Sequence, residues 1–285
     1  MPELPEVEAL AGFLRERLVG RVVAGVYVAG IATLKTYDPP VTSLGGLSIT
    51  DVVRRGKFLD IDVDGLHLAV HLARAGWVRW RESLPETPLR PGKGPIVLRV
   101  HLDDGSGLDF TEAGTTKKLA VYVVRDASDV PGIARLGPDP LTLDRAALEA
   151  LLDEHARTQL KGLLRSQSII AGIGNAYSDE ILHVARLSPF GLAGNLDDDG
   201  RGRLFVAIGS TLRDAVERSA GLPASELKDD KRAAMRVHGR TGQECPECGD
   251  VVREVSFADS SLQYCARCQT GGKLLADRRL SRLLK

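Results

Sequence analysis

All four cysteines of this 285-residue chain lie close together near its C-terminal end, and they constrain the fold more tightly than any other feature. Cys245, Cys248, Cys265 and Cys268 follow the spacing C-x2-C-x16-C-x2-C. In a reducing compartment this pattern is typical of a zinc ion held by four thiolates, not of disulfide bonds. The sequence therefore predicts one structural zinc ion. The spacing leaves open whether the zinc finger only stabilises the fold or also contacts a ligand.

Hydrophobic residues make up 43% of the chain and charged residues 27%, which is ordinary for a soluble globular protein. The length allows two domains, each with its own core. No apolar run is long enough to cross a membrane, and no segment resembles a signal peptide. We therefore expect a cytoplasmic protein that does not contact a membrane.

Charge is unevenly distributed along the chain, although the formal net charge is zero. Residues 231–285 contain 11 Lys and Arg residues and 6 Asp and Glu residues, whereas the preceding 230 residues contain 27 and 32. A basic C-terminal module in an otherwise acidic protein favours contact with a polyanion.

Hydrophobic patterning indicates that the N-terminal part of the chain is rich in β-structure. A helix over residues 3–18 is followed, up to about residue 125, by short runs of branched apolar residues between glycine-containing turns. We expect a β-sandwich or barrel of around eight strands, including strands at residues 22–28, 58–63, 66–72, 96–102, 108–111 and 119–124. Residues 85–95, with four prolines, predict a loop.

The remainder of the chain is predicted to be helical. A segment rich in proline and glycine at residues 130–140 predicts an interdomain linker, and helices follow at 146–156, 159–164, 175–185 and 200–219. The sequence thus predicts an α+β multidomain protein in three parts. These are a β-sandwich with an N-terminal helix over residues 1–130, a helical domain over 131–239, and a zinc hairpin with a basic tail over 240–285.

The first residues of the chain suggest covalent catalysis. Removal of Met1 would leave Pro2 as an N-terminal secondary amine, and an α-amino group titrates near pH ~8, so part of it is nucleophilic at neutral pH. Such an amine can attack a sugar C1′ or a carbonyl and form an iminium. Glu3 lies beside it as a proton donor, and Glu6 follows one turn later. Proline and acidic residues are also typical of an ordinary helix start, and the segment alone favours that interpretation.

The segment Gly172-Ile173-Gly174-Asn175 lies between two predicted helices. Its glycines allow a tight turn with exposed backbone amides, and Asn175 is placed to cap the next helix. Such a helix start binds phosphate readily, and Lys161 and Arg165 on the preceding helix would add positive charge. A helix–turn–helix joint whose glycines serve packing explains the segment equally well.

Lys57 ends the basic run Arg54-Arg55-Gly56-Lys57 in a predicted turn before a strand. The turn would direct the lysine into a groove, although a solvated turn is the more common outcome for such a segment. Four dispersed histidines show no metal-binding spacing and favour structural or surface roles: His67, His71, His183 and His238.

Taken together, these motifs resemble the Fpg/Nei family of formamidopyrimidine-DNA glycosylase and endonuclease VIII, over essentially the whole chain. Several motifs in one order are far more specific than any single motif. The motifs are residues 2–8 (Pro-Glu-Leu-Pro-Glu-Val-Glu), residues 56–59 (Gly-Lys-Phe-Leu), His71-Leu72 before Gly76, the helix of Lys161, residues 172–177 (Gly-Ile-Gly-Asn-Ala-Tyr) with Glu180, residues 237–240 (Val-His-Gly-Arg), and the four cysteines followed by Gln269.

The resemblance implies a two-domain clamp with DNA in its cleft. The clamp consists of an N-terminal β-sandwich and a helix–two-turn–helix domain that carries the zinc hairpin. Pro2 then resembles the nucleophile that attacks C1′ of a flipped nucleotide, Glu3 the acid that opens the deoxyribose ring, and Glu6 a supporting residue. Chemistry at C1′ also requires flipping on physical grounds, because the sugar is inaccessible while the base stays stacked.

The resemblance further assigns three residues to the phosphates around the lesion, namely Lys57, Lys161 and Asn175. Lys57 is thereby a candidate for both the catalytic and the DNA-binding set. The four cysteines match the structural zinc site of the family.

The chain also departs from the family pattern, which makes it a divergent member. Arg74 stands where the family usually has Met, and residues 114–117 (Gly-Thr-Thr-Lys) stand where a loop usually supplies Arg and Phe. Because the usual residues fill the space left by the flipped base, Arg74 and Lys117 are candidate DNA contacts in their place. In the zinc hairpin Ser260 replaces the usual arginine, and a basic tail at residues 273–285 extends beyond the usual end.

We predict a bifunctional DNA glycosylase and AP lyase of base excision repair, which uses a Pro2 Schiff base and cleaves the strand by elimination. One alternative keeps this enzyme class but specialises it for AP sites, for lesions in single strands or bubbles, or for bulky adducts and crosslinks. The other is a DNA-binding protein without catalysis, which has no need of an amine beside a carboxylate. The predicted partner is damaged DNA, bound by a monomer.

Overall fold

The computed structural model of the protein describes residues 1–85, 89–90, 94–114, 116–257 and 260–276. The chain forms two compact units, of which the first comprises Met1–Arg135 and Ser219–Lys228 and the second Leu136–Arg218 and Asp229–Lys285. The zinc hairpin therefore shares a unit with the helical region. The division at 1–130, 131–239 and 240–285 stays a prediction.

The first unit is a sandwich of two four-stranded antiparallel sheets, in the orders β1-β6-β7-β5 and β2-β3-β4-β8. Apolar side chains of both sheets, such as Leu59, Ile61, Leu98 and Phe110, form one buried core. The eight strands confirm the predicted sandwich. Their bounds are β1 Val23–Val28, β2 Ile49–Arg55, β3 Phe58–Val63, β4 Leu66–His71, β5 Gly76–Arg81, β6 Ile96–Leu102, β7 Gly107–Glu112 and β8 Ala120–Val124.

Helix α1, Leu4–Leu18, packs against this sandwich through an apolar face. Leu4, Val7, Leu10 and Leu14 recur every three or four residues and are completely buried. The burial of four large side chains fixes the helix on the core, so the residues at its start have a defined position.

The second unit combines helices with a two-stranded hairpin. Apart from short 3-10 helices, the remaining helices and strands that the described residues form are α2 Arg145–Glu154, α3 Leu160–Arg165, α4 Asn175–Val184, α5 Asp198–Ser219, α6 Leu227–Ala234, β9 Val252–Ser256, β10 Ser261–Cys265 and α7 Ala266–Thr270. The hairpin strands β9 and β10 are antiparallel, and β10 packs against α4.

Parts of three predicted segments lie outside the described residues. They are residues 86–88 and 91–93 of the predicted loop, Thr115 of the segment at 114–117, and residues 277–285 of the basic tail. Among the helices that the described residues form, none has the length and apolar character needed to cross a membrane.

The close approach of Gly76 to the chain at Leu72 gives a test of the turn between β4 and β5. A Cβ atom at Gly76 would lie 2.1 Å from the Leu72 carbonyl oxygen, whereas a Cβ atom at Gly12 in α1 would meet nothing within 4 Å. We expect Gly76→Ala to lower the free energy of unfolding by about 2 kcal/mol or more, because the obstacle is backbone.

Gly12→Ala is the matched control and should stabilise the protein by roughly 0.5–1 kcal/mol, because alanine favours the helix. Denaturant unfolding of both variants provides the measurement. Equal stability of Gly76→Ala and the unsubstituted protein would contradict the described turn.

Candidate functional site

The start of α1 places two buried carboxylates beside Pro2. Glu3 is 2% exposed and Glu6 is 1% exposed. The Glu6 carboxylate accepts a hydrogen bond of 2.8 Å from the Glu3 backbone N–H, which satisfies a donor that a helix start otherwise leaves unpaired. Glu6 thus orders the backbone directly after Pro2, a positioning role that fits the predicted supporting residue.

Lys57 lies in the tight turn between β2 and β3, where Gly56 adopts a left-handed φ of 57°. Its side chain is buried, so the structure does not support a solvated turn. Arg54 links this turn to α1, because its Nε donates to the Glu8 carboxylate over 2.6 Å and its Nη1 donates to the Gly56 carbonyl over 3.4 Å. The first unit therefore holds Lys57 and the Pro2 end of α1 through one arginine.

His71, to which the sequence analysis gave a structural or surface role, is buried near Lys57. It faces Phe58 across the β3–β4 pair, with ring centroids 4.8 Å apart. Burial, and secondarily the charge of Lys57, lowers the pKa of His71 from 6.5 to about 4. A neutral imidazole therefore lies beside the Lys57 ammonium at neutral pH. In the sequence, only the alternation of side chains along β3 and β4 indicates this contact, because it puts the paired residues Phe58 and His71 on the same face of the sheet.

The surroundings of Arg74 and Lys117 differ. These are the two candidates to replace the residues that usually fill the space left by the flipped base. Arg74 is exposed in the tight turn between β4 and β5, in which the Gly76 N–H donates to the Leu72 carbonyl. Lys117 donates from Nζ to the carbonyls of Glu112 and Gly114, at 2.5 and 2.9 Å. Within the described residues, Arg74 is thus the more available side chain.

Asn175 differs from its predicted role as a helix cap. Gly174 is the N-cap of α4, and Asn175 is the first residue of the helix. Its side-chain amide instead donates to the Ser261 carbonyl in the zinc hairpin, over 2.8 Å. An amide nitrogen carries two N–H groups, and within the described part of the chain this bond uses one of them, which leaves the other for an acceptor such as a phosphate oxygen.

Lys161 has contacts that its predicted phosphate role did not include. Its Nζ is buried and donates to three acceptors, the Asn175 carbonyl at 3.2 Å, the Ser178 hydroxyl at 2.9 Å and an Asp179 carboxylate oxygen at 2.6 Å. A lysine ammonium has three N–H groups, so these contacts occupy all of them. They indicate that Lys161 holds the start of α4, and phosphate binding by Lys161 stays a prediction.

The four cysteines converge as the sequence predicted. Their Sγ atoms all lie within 4.8 Å of one another, with Cys245 and Cys268 3.9 Å apart and Cys248 and Cys265 3.4 Å apart. Tetrahedral Zn–S bonds of about 2.3 Å require sulfur atoms roughly 3.8 Å apart, so the cluster fits one zinc ion. The ion is structural, because all four coordination positions are taken by protein ligands.

Three family models match successive parts of the chain. They describe the formamidopyrimidine-DNA glycosylase N-terminal domain at residues 1–117, the H2TH domain of that enzyme at residues 136–225, and a zinc finger found in FPG and IleRS at residues 242–271. The formamidopyrimidine-DNA glycosylase of Symbiobacterium thermophilum is 34% identical over 280 residues, which cover 94% of this chain and 89% of that protein. The chain belongs to the formamidopyrimidine-DNA glycosylase family. Within this family it has the modules of a DNA N-glycosylase, and its four cysteines form the zinc finger.

Two further comparisons extend this assignment. A formamidopyrimidine-DNA glycosylase-like protein of Mycobacterium tuberculosis is 57% identical over 150 residues, which cover 53% of this chain and 94% of that protein. The MutM (Fpg) structure from Thermus thermophilus has a TM-score of 0.80 at 30% identity and covers 96% of this chain and all of that one. The Lactococcus lactis Fpg structure with abasic-site DNA has a TM-score of 0.82 at 23% identity, with 94% and 99% coverage, and supports the fold.

The proximity of Lys57 and His71 can be tested by titration. We expect the His71 ring to titrate at a pKa of about 4. Lys57→Met should raise this pKa without restoring 6.5, because burial is the larger cause. NMR titration of the histidine rings gives the measurement.

The lowered pKa also affects stability. Since the pKa of folded His71 is depressed, its contribution to stability is complete above pH 6.5 and is lost as the pH falls towards 4.

Lys35→Met is the control, because Lys35 is exposed and donates to the Ala32 carbonyl. An identical His71 pKa in the Lys57→Met and Lys35→Met variants would show that the Lys57 charge does not act on His71.

Proposed function

We propose that the protein excises a damaged base from DNA with the Pro2 amine as nucleophile and then cleaves the strand at the resulting AP site. The observation that carries this proposal is the ordered start of α1, where Glu3 and Glu6 are buried just after Pro2 and the Glu3 N–H donates to the Glu6 carboxylate. Burial of two carboxylates is costly unless they are used or hydrogen-bonded. Glu3 and Glu6 form a capping box, in which each carboxylate accepts from the backbone N–H of the other residue, so both side chains are held in place just after Pro2.

The chemistry follows from these side chains. The lone pair of the Pro2 nitrogen attacks C1′, the base leaves with the electron pair of the N-glycosidic bond, and the proton of the Pro2 amine passes to the departing base. Glu3 donates a proton to O4′ as the C1′–O4′ bond breaks, which opens the deoxyribose ring and leaves an iminium between Pro2 and C1′. Loss of a C2′ proton then expels the 3′ phosphate, and hydrolysis of the iminium releases Pro2.

Three residues are proposed to hold the phosphates around the lesion, Lys57 and Asn175 by direct contact and Lys161 indirectly. Lys57 lies in the turn that Arg54 attaches to α1, and Asn175 has one amide N–H left. Lys161 acts in this proposal through Asn175, whose carbonyl it contacts. A basic C-terminal region adds attraction to the DNA backbone, which weakens as salt concentration rises.

The covalent step can be tested by borohydride trapping on DNA that contains an AP site. The protein with processed Pro2 should form a covalent adduct, and the same protein with one extra N-terminal residue should form none, because an amide nitrogen is not nucleophilic. Both forms should bind the DNA with affinities within about threefold, since no phosphate contact changes. Glu3→Gln should slow base excision by roughly 100-fold or more.

Removal of the extra residue by a protease that leaves Pro2 at the terminus is the control and should restore trapping. Normal trapping by the extended form would refute the role of Pro2. DNA binding without trapping by any form would favour the non-catalytic alternative.

The surroundings of Arg74 favour a second proposal, in which the preferred substrate is an AP site or a lesion in single-stranded or bubble DNA. Opening a base pair costs a few kcal/mol, and least where the base is already unpaired. In the described turn Arg74 stands where the family usually has Met, and Lys117 is held by loop carbonyls. The usual residues fill the space left by the flipped base and so offset part of the free energy of opening the pair. Without them, less of that free energy is recovered on paired DNA.

Single-turnover excision of one lesion in matched duplex and in bubble DNA tests the preference. We expect the duplex rate to be lower by roughly tenfold, which corresponds to about 1.4 kcal/mol of unrecovered opening cost. Arg74→Met should reduce the difference, and Lys35→Met, at an exposed lysine outside both loops, is the control. A duplex rate equal to the bubble rate in the unsubstituted protein would contradict the proposal.

A further inference from the structure

Helix α4 has one polar face that is buried against the zinc module. Asn175, Asp179, Glu180 and His183 recur at a spacing that places them on the same side of a helix. Asp179, Glu180 and His183 are 0%, 3% and 1% exposed. Buried polar groups persist only where each finds a partner, so the contacts of this face show what it holds.

Three of these residues hold backbone or histidine groups of the chain around the zinc module. Glu180 accepts hydrogen bonds from the backbone N–H groups of residues 236, 237 and 238, at 2.7, 3.0 and 2.8 Å. Asp179 contacts Nδ1 of His238 at 2.8 Å, and Asn175 donates to Ser261 of the hairpin. The helix therefore contacts both the segment before the first cysteine and strand β10, which ends at the third cysteine, Cys265.

The fourth residue, His183, contacts a metal ligand directly. Its Nε2 lies 3.2 Å from Sγ of Cys245, and the same nitrogen has no other hydrogen bond among the described residues. A thiolate bound to zinc carries no proton, so the imidazole must be the donor in this contact. Within the described structure the other ring nitrogen, Nδ1, is buried without a hydrogen-bond partner. The bond to Cys245 is thus the polar contact that orients the ring.

Such a bond has a physical reason in a site of four thiolates. One Zn²⁺ and four thiolates carry a formal charge of −2, and Cys245 and Cys265 are buried. An N–H group directed at a sulfur atom offsets part of this charge and fixes the side chain that carries the sulfur.

We propose that His183 is a positioning residue of the zinc centre, which donates from Nε2 to the Cys245 thiolate and thereby attaches the metal site to α4. Because Asn175 at the start of the same helix contacts the hairpin, α4 aligns the zinc centre and the hairpin strand with each other. The role is to hold the metal site and does not include contact with DNA.

Zinc retention in the full-length protein tests this role without DNA. His183→Phe keeps an aromatic ring but removes the N–H donor, whereas His183→Gln keeps an N–H donor at similar reach. We expect His183→Phe to release zinc to a chelator about tenfold faster, as found for loss of groups that support metal ligands. His183→Gln should lie within about twofold of the unsubstituted protein.

Cobalt substitution supplies a readout that a change in packing alone would not alter. A hydrogen bond to a thiolate stabilises its lone pairs, so its loss should shift the sulfur-to-cobalt charge-transfer band to longer wavelength in His183→Phe and not in His183→Gln. His155→Phe, at the end of α2, is the control histidine and should leave both the release rate and the spectrum unchanged.

The outcomes separate the possible roles of His183. Zinc release and a cobalt spectrum unchanged in His183→Phe would overturn the proposal. If His183→Phe does not fold, His183→Gln decides: a normal spectrum and release rate support the hydrogen bond, and loss of zinc by this variant as well overturns it. None of these outcomes depends on Pro2, so failure here leaves the proposed catalysis untouched.

Discussion

The hydrogen bond between the Glu6 carboxylate and the Glu3 N–H is the interaction on which the N-terminal end of the first unit depends. A chain terminus is normally poorly ordered unless something ties it down. Here the apolar face of α1 fixes the helix on the sandwich. The bond from the Glu3 N–H to Glu6 also orders the backbone between the helix and Pro2. The Arg54 bridge then relates the same helix to the turn of Lys57. In the role proposed for Pro2, an amine held in this way would lose little further entropy when it meets a sugar.

The second unit uses buried charge for a similar purpose. One oxygen of Asp179 accepts from Lys161, and the other contacts His238. This carboxylate is completely buried, so each partner stabilises a group that would otherwise be very unfavourable. Three different segments, α3, α4 and the chain before the zinc finger, therefore meet at a single side chain. Such an arrangement specifies their relative placement more strongly than apolar contacts, which tolerate small shifts.

The sequence predicted those parts of the structure that depend on local pattern. The cysteine spacing predicted the metal cluster, and the apolar spacing of Leu4, Val7, Leu10 and Leu14 predicted α1. Strands β2 and β5 were missed, because arginines and an aspartate interrupt the alternation of β2 and glycine begins β5. Helix α6 was missed because residues 227–234 are mostly charged and lack a regular apolar stripe.

The contacts of the candidate residues could not be predicted from the sequence, for one common reason. Lys57, Lys161 and Asn175 were judged from residue type and position in a motif, which indicate polarity but not burial. The structure shows Lys57 buried, Lys161 fully hydrogen-bonded and Asn175 in contact with a strand 86 residues away. Such long-range partners leave no trace in a single sequence. The contact between His71 and Phe58 likewise depends on how β3 and β4 pair, which the alternation of side chains in the sequence does not establish.

The return of residues 219–228 to the first unit has a consequence for synthesis of the chain. Ala224 and Leu227 belong to the same apolar core as Trp77, and the Trp77 indole N–H donates to the Ala224 carbonyl across 147 residues of sequence. During translation the sandwich therefore leaves the ribosome with part of its surface uncovered, and it stays so until most of the second unit has been made. Closing so long a loop is entropically unfavourable until the intervening residues have folded and brought its ends together. The first unit can therefore be completed only after residues 219–228 have been made, although residues 1–135 are synthesised first.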